Sequence, residues 1–276
     1  VYGFYGTVPS ASHAQLSLFG YGGNGRWDQL AIGCWGETIC FDAGMSLTGQ
    51  AITDIRGLML RNGVNGTKWG WTDAGHGGDW LVAFNDKKNK LLFNDLKTAY
   101  LAHGPCLTDV RYDGYYGAGR EVDLNAQVQT LRTDDYARTF QSLVYRFLKP
   151  VSATDSAFYT LSNKSIAPAA VYGNRDGVIA ELVVPADAED GHLLADQVTF
   201  DGESPWWIAF PGAMVGHEKE PGVGGGTGSR ALIIRSYEAT LGGKKHSAPT
   251  ISLPLGKVVN DRRGIAFRLM PPQGVT

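Results

Sequence analysis

The sequence predicts an all-β fold, a large antiparallel β-sandwich of two layers, within its 276 residues. Glycine is abundant, at 37 residues, whereas charged residues make up only 19% of the chain and aromatic residues 11%. Many glycines and aromatics with few charges are typical of short strands joined by tight turns. This composition excludes both a helical bundle and a disordered chain.

The clearest strand is predicted over residues 121–131. Apolar residues occupy positions 122, 124, 126 and 128, and the residues between them are Asp, Asn or Gln. A period of two over this length predicts a strand with one buried face and one polar face. A turn at 133–136 returns the chain into a second long strand over 138–148. Such a hairpin belongs to a large sheet whose polar side is solvated or carries a substrate.

Shorter strands are predicted wherever an apolar run is bounded by glycine, proline or other turn residues. On the N-terminal side of the long hairpin these runs are residues 14–18, 29–41 (kinked at Gly33 or Gly36), 51–60, 81–84 and 90–93. On its C-terminal side they are residues 158–161, 177–184, 197–200, 206–210, 230–240, 250–253 and 264–269. A short helix is the alternative to coil for 94–102. The chain is interpreted as one domain over 1–276, with a piece of a longer protein as the alternative.

The net charge of −2 gives no overall field that would attract nucleic acid or an anionic membrane. No apolar run approaches the roughly 20 residues that a bilayer-spanning helix needs. We therefore expect neither nucleic acid nor a membrane as a partner. The chain begins at Val1 without a leader. This favours a processed, secreted or periplasmic protein, or a piece of a longer chain whose other domains are its partners.

The cysteines and histidines predict no cofactor. Cys34, Cys40 and Cys106 leave at least one thiol unpaired, because three is an odd number, and none of them forms a CxxC pair. The six histidines are scattered along the chain. A structural calcium ion held by loop carboxylates stays open as an alternative, although the EF-hand spacing is absent.

Residues 69–80 combine three tryptophans, two aspartates, one histidine and four glycines. Glycine lets the backbone turn sharply, and indole rings offer flat apolar faces. The combination predicts a site for a polar ring with apolar faces, for which a sugar is the best candidate. The alternative is a plug that closes one end of a β core with its tryptophans. The predicted stacking residues are Trp69, Trp71 and Trp80.

A second cluster covers residues 103–121 and leads directly into the polar-faced strand. It contains three tyrosines, two arginines, three carboxylates and one histidine. Tyr116 and Arg120 are predicted to bind substrate. If this cluster neighbours residues 69–80 in space, the two segments form a wall and the floor of one groove.

Hydrolysis of a glycosidic bond is the first chemistry that fits these residues. It needs two carboxylates across the bond, roughly 5–5.5 Å apart for retention and 6.5–9.5 Å apart for inversion. Asp73, Asp79 and Glu121 are the predicted proton-transfer residues, and His76 assists them. A structural carboxylate that caps a loop is the alternative for each.

Elimination from a uronate is the second chemistry. It needs a base at the sugar C5, an acid for the leaving oxygen and a cation that neutralises the carboxylate. The candidates, in that order, are His76 or His103, Tyr115 or Tyr116, and Arg111 or Arg120. The alternative is that the tyrosines are half-buried amphipathic side chains and the arginines pair with nearby aspartates.

The long hairpin 121–148, the segment Trp206-Trp207-Ile208-Ala209-Phe210 and the strand that runs from Arg230 to Tyr237 carry a resemblance. With these features, the chain resembles the antiparallel β-sandwich domains, of the supersandwich or jelly-roll type, in polysaccharide lyases and glycoside hydrolases. The resemblance implies a polysaccharide or oligosaccharide as the partner.

We therefore expect a carbohydrate-active enzyme that cleaves glycosidic bonds of a polysaccharide, with hydrolysis preferred over elimination. The competing class is a non-catalytic carbohydrate-binding or structural domain. An enzyme places two carboxylates, or a His–Tyr pair, beside the same stacked sugar ring. A binding module surrounds its aromatics with hydrogen-bonding neighbours only.

Overall fold

The computed structural model describes residues 14–19, 29–33, 36–41, 51–63, 66–71, 77–132, 138–161, 169–211, 230–256 and 264–274. Within these ranges the chain forms strands, turns and irregular segments, and the strands pair in antiparallel sheets. The all-β class predicted from composition and periodicity is therefore confirmed. The described part of the chain contains no helix long and apolar enough to cross a membrane.

The chain divides into two compact units. The first contains residues 1–80 and 84–152, and the second contains residues 81–83 and 153–276. A single domain over the whole chain stays a prediction. Up to the end of the long hairpin, the strands are β1 (Gln15–Phe19), β2 (Gln29–Gly33), β3 (Gly36–Phe41), β4 (Ile52–Gly63), β5 (Gly66–Trp71), β6 (Gly78–Asp79), β7 (Val82–Phe84), β8 (Phe93–His103), β9 (Leu107–Tyr116), β10 (Val122–Leu131) and β11 (Phe140–Phe147).

Two sheets form the first unit. One has the order β1-β2-β3-β4, with β5 and β6 both paired to β4, and the other is the 4-stranded sheet β11-β10-β9-β8. Strand β2 lies near β10, and β1 lies near β9. The sheets therefore contact each other as the two layers of a sandwich do.

Strand β10 has the alternation that its sequence predicts. Val122, Leu124, Ala126 and Val128 are buried, whereas the polar residues between them are half-exposed. The buried positions pair across the sheet with Tyr116, Gly114, Tyr112 and Val110 of β9. Apolar side chains of both central strands thus face the core, and their polar neighbours face away from it.

Two expectations on the N-terminal side are corrected. Residues 94–102 lie in β8, paired with β9, and do not form a helix. Irregularities between Asn94 and Lys97, and between Tyr100 and Ala102, interrupt the period of two that would have revealed this strand. Residues 29–41 form the antiparallel strands β2, which ends at Gly33, and β3, which begins at Gly36, instead of one kinked strand.

The second unit is also built from antiparallel strands. They form the sheets β15-β14-β17-β18, β13-β22-β21-β16, β7-β12 and β19-β20. Ile208, Ile251 and Leu253 are among its fully buried side chains. Its strands beyond β7 are β12 (Asp155–Ala157), β13 (Tyr159–Leu161), β14 (Ala169–Asn174), β15 (Gly177–Val183), β16 (Leu193–Thr199), β17 (Trp206–Phe210), β18 (Arg230–Ile234), β19 (Ala239–Leu241), β20 (Lys244–His246), β21 (Thr250–Pro254) and β22 (Phe267–Met270).

Candidate functional site

The two chemistry-bearing clusters of the sequence meet inside the first unit. Strand β6 ends at Asp79, and β9 ends at Tyr116. The Tyr116 hydroxyl donates a hydrogen bond to Asp79 Oδ1 at 3.0 Å, and the rings of Trp80 and Tyr112 have their centroids 5.1 Å apart. The end of the 69–80 segment and the 103–121 segment are therefore neighbours, but the residues that join them lie in the core of the unit.

Asp79 is the centre of a buried polar network. Asp79 is only 3% exposed, and Lys90 Nζ lies 2.5 Å from Asp79 Oδ2. Burial raises the pKa of Asp79 above its ordinary value of 3.8, while the charge of Lys90 and hydrogen bonds from Lys90 and Tyr116 oppose this rise. Each carboxylate oxygen thus has a partner within the protein, as a buried carboxylate requires.

Aromatic rings enclose this network. Trp80 is 1% exposed and meets Phe93 edge to face, with centroids 6.2 Å apart, and Phe93 in turn packs on Tyr116 at 4.8 Å. Tyr145 donates a hydrogen bond to the backbone carbonyl of Trp80. These contacts agree with the core-plug alternative for this tryptophan. Its stacking on a sugar stays a prediction that the burial does not favour.

Glu121 folds back over the turn at residues 117–120. Its Oε2 accepts a hydrogen bond from the Gly119 N–H at 3.2 Å, and Lys149 Nζ donates to the Gly119 carbonyl at 2.5 Å. The geometry is that of a carboxylate that caps a loop, which was the structural alternative. Proton transfer by Glu121 stays a prediction.

This turn yields a stability prediction. Gly117 has φ +86°, and a Cβ at this position would collide with the Glu121 carboxylate. We expect Gly117→Ala to lower the free energy of unfolding by about 1–3 kcal/mol, the usual cost of a non-glycine residue in a sparsely populated backbone region. The control is Gly104→Ala, whose Cβ would meet nothing within 4 Å.

Urea denaturation of the two variants checks this expectation. Gly104→Ala should leave stability unchanged or raise it by up to about 1 kcal/mol, because alanine restricts the unfolded chain. Equal stability of the two variants would contradict the account of the turn.

The side chains of four predicted site residues lie outside the described structure. Asp73 and His76 lie outside the described residues. Trp69 and Trp71 lie in β5, where their backbones pair with Leu60 and Leu58 of β4. Their roles in stacking and proton transfer stay predictions.

A second group of polar side chains covers the outward side of β9 and β10. On β10 these positions alternate with the buried ones, and on β9 they lie opposite these β10 positions in register, with Asp109 itself buried. We call this surface the polar face, and its residues are Asp109, Arg111, Asp113, Tyr115, Asp123, Asn125, Gln127 and Gln129.

Side-chain amides hold Asp109 and organise one end of the polar face. Gln127 Nε2 donates to both carboxylate oxygens of Asp109, at 2.9 and 3.0 Å, and Gln129 Nε2 donates to Oδ2 at 2.7 Å. Asp109 is 9% exposed. These hydrogen bonds to Asp109 of β9 fix the orientation of both glutamine side chains on β10.

Asp113 lies in the middle of the polar face and has two donors. Asn125 Nδ2 donates to Oδ1 at 2.6 Å, and Arg111 Nε donates to Oδ2 at 2.8 Å. Arg111 is therefore paired with an aspartate on its own strand, as the structural alternative for the arginines predicted. Its guanidinium remains partly exposed.

Arg120 connects the turn to the other end of the polar face. Its Nε and one terminal nitrogen donate to the two oxygens of Asp123, at 2.5 and 3.1 Å. The hydrogen bond from Arg120 lowers the pKa of Asp123 below its ordinary value. The same guanidinium lies 5.6 Å from the centroid of the Tyr115 ring. Tyr115 and Arg120, both predicted site residues, are thus in contact.

On the polar face and the adjoining Arg120, three aspartates outnumber two arginines, and many groups both donate and accept hydrogen bonds. Arg111 pairs with Asp113, and Arg120 pairs with Asp123. Amide side chains occupy three positions between and beyond these pairs. The sequence indicates this surface by alternation alone, which does not distinguish Asn125, Gln127 and Gln129 from solvated strand residues.

The described ranges contain no group of three or more His, Cys, Asp or Glu side chains placed to hold a metal ion. A structural calcium ion stays an alternative that these residues do not test. Cys106 carries a free, half-buried thiol.

The sequence was also compared with known proteins. No protein-family model matches the chain, and no curated protein matches it significantly. The side chains and their contacts are therefore the basis for inferring function.

Proposed function

We propose that this protein binds a neutral polysaccharide chain along the polar face. The observation that supports this most is the continuous series of oriented amide, carboxylate and guanidinium groups from Asp123 to Gln129 and from Asp109 to Tyr115. Elimination would also need a base on this surface, whereas binding needs only groups that donate and accept hydrogen bonds.

The hydrogen-bonding groups suit sugar hydroxyls. A hydroxyl both donates and accepts, so it is best bound between a donor and an acceptor. Asn125 with Asp113, and Gln127 with Asp109, offer such neighbouring pairs on adjacent strands. Because these side chains are already oriented by one another, binding costs less side-chain entropy.

Aromatic rings lie at both ends of this series. Tyr115 pairs across the sheet with Asp123, and Phe140 of β11 pairs with Gln129. The seven residues from 123 to 129 span about 20 Å along an extended strand. Such a length fits an extended oligosaccharide better than a single sugar, with rings available for stacking near both ends.

The excess of aspartates over arginines on the polar face favours a neutral ligand over an anionic one. Both arginines already have an aspartate partner. A uronate would have to displace an aspartate from an existing pair and would meet the remaining carboxylates. A neutral sugar keeps both pairs intact while adding hydrogen bonds to them.

Affinity electrophoresis with soluble neutral polysaccharides tests this proposal. We expect Tyr115→Ala and Gln127→Ala each to weaken retention by about tenfold, which corresponds to roughly 1.4 kcal/mol. The matched control is Tyr100→Ala, because Tyr100 pairs with the buried Val110 and so lies on the opposite side of the sheet by register. Equal retention of all three variants and the wild type would contradict the proposal.

Cleavage by elimination is the second candidate function. It is favoured by one observation: Tyr115, Arg111 and Arg120 belong to the same surface, and the Arg120 guanidinium lies over the Tyr115 ring. A tyrosine acid and an arginine that neutralises a uronate are two of the three groups this reaction needs. Ultraviolet absorbance together with new reducing ends on a uronate polymer would support it, and binding without either signal would support the first proposal.

A further inference from the structure

The buried contact between Lys90 and Asp79 has a geometry that the proposed binding function does not use. Lys90 Nζ lies 2.5 Å from Asp79 Oδ2, and Tyr116 donates to the other oxygen, Oδ1, at 3.0 Å. The side chains of Lys90 and Asp79 are 18% and 4% exposed. An amine and a carboxyl group are thus held together where little water reaches them.

We infer that Lys90 and Asp79 form an intramolecular amide bond, a covalent cross-link between β6 and the segment that follows β7. Every group needed to make the bond is in contact in the folded chain. The reaction joins Lys90 Nζ to Asp79 Cγ and releases one water.

The atoms balance without any other reactant. The Lys90 ammonium first transfers a proton to Asp79 Oδ2, which gives a neutral amine and a neutral carboxylic acid. The amine nitrogen then forms a bond to Cγ, the bond from Cγ to Oδ2 breaks, and Oδ2 leaves as water with that proton and one proton from the amine. No atom changes its oxidation state, so the reaction needs no oxidant or reductant.

The surroundings favour each step. Charged groups are costly to bury, so the proton transfer that neutralises this pair costs less here than it would in water. Burial also raises the pKa of Asp79. Contact in the fold gives the two groups a high effective concentration. Tyr116 donates to Oδ1, the oxygen that carries the developing negative charge and remains as the amide oxygen, in the manner of an oxyanion hole.

The mass of the intact, denatured chain tests the inference. We expect the wild-type protein to be lighter by one water than its sequence requires. Lys90→Arg keeps a positive charge but its guanidinium does not form the amide, so this variant should have its full sequence mass. Asp79→Ala should also have its full mass. The mass of the wild-type chain decides the inference, and the two variants assign the lost water to this pair.

A tryptic digest locates the bond. A cross-link at Lys90 blocks cleavage there, so we expect a branched peptide in which residues 69–87 are joined to residues 89–97. Wild-type protein of full sequence mass, with residues 91–97 released as a free peptide, would overturn the inference. A water lost at any other position would overturn it as well.

Discussion

Lys90→Ala is expected to lower the free energy of unfolding by about 3–5 kcal/mol, because it leaves the buried Asp79 carboxylate without its partner. Asp79 is 3% exposed, so water cannot replace the lost amine. The matched control is Lys97→Ala, which removes a lysine from an exposed pair with Asp95. That change should cost less than about 1 kcal/mol, as surface ion pairs usually do. Urea denaturation near pH 7 provides the comparison.

The loss in free energy of unfolding caused by Lys90→Ala should become smaller as the pH falls. Burial raises the pKa of Asp79, and without Lys90 less opposes that rise. A carboxyl group with a raised folded-state pKa contributes stability below its unfolded pKa and loses that contribution as the pH rises through the folded value. Once Asp79 is protonated, it no longer needs a cationic partner. A deficit that stayed constant or grew between about pH 7 and pH 4 would contradict this assignment.

Trp80→Ala is the second variant for which we expect a large loss of stability, about 3–5 kcal/mol, as for other large aromatic side chains removed from a core. Trp80 is 1% exposed and packs against Phe93 and Tyr112. The control is Leu101→Ala, because Leu101 is 51% exposed. We expect that variant to change stability by no more than about 0.5 kcal/mol.

The outcome for Trp80→Ala separates two roles for this residue. A stable variant with weakened polysaccharide retention would make Trp80 an accessible stacking platform, as the sequence first predicted. A destabilised variant that retains the polysaccharide when folded would make it part of the core. Thermal unfolding and affinity electrophoresis on the same preparation distinguish these outcomes.

The strand pattern could be predicted where local periodicity was unbroken. In β10 the side chains alternate without interruption, so the sequence identified both its buried and its polar side. In β8 two irregularities break the period of two, so the sequence alone left a short helix open for this segment. Register irregularities depend on the partner strand, and the sequence of one strand does not reveal them.

The buried network could be predicted only in part. Asp79 and Tyr116 were both selected for their chemistry, but their contact joins residues 37 positions apart and depends on how the sheets pack. Lys90 was not selected, because nothing in its neighbourhood separates it from the lysines of a surface turn. Only the fold shows that its amine lies against the buried carboxylate.

The contacts also change the order of the functional hypotheses. From the sequence, hydrolysis was preferred, with Asp73, Asp79 and Glu121 as proton-transfer residues. Asp79 bonds with Lys90 and Tyr116, and Glu121 caps the turn at residues 117–120. The outward side of the β10 strand, which the sequence described as solvated or substrate-bearing, therefore becomes the better basis for a function.

The side-chain amide signals of Asn125, Gln127 and Gln129 in a two-dimensional nitrogen–proton NMR spectrum test the central claim most directly. Addition of a neutral polysaccharide that the protein retains should shift all three pairs of signals, because these amides lie along the polar face. Shifts that leave these three residues unchanged and concentrate elsewhere in the chain would show that the polar face is not the binding site.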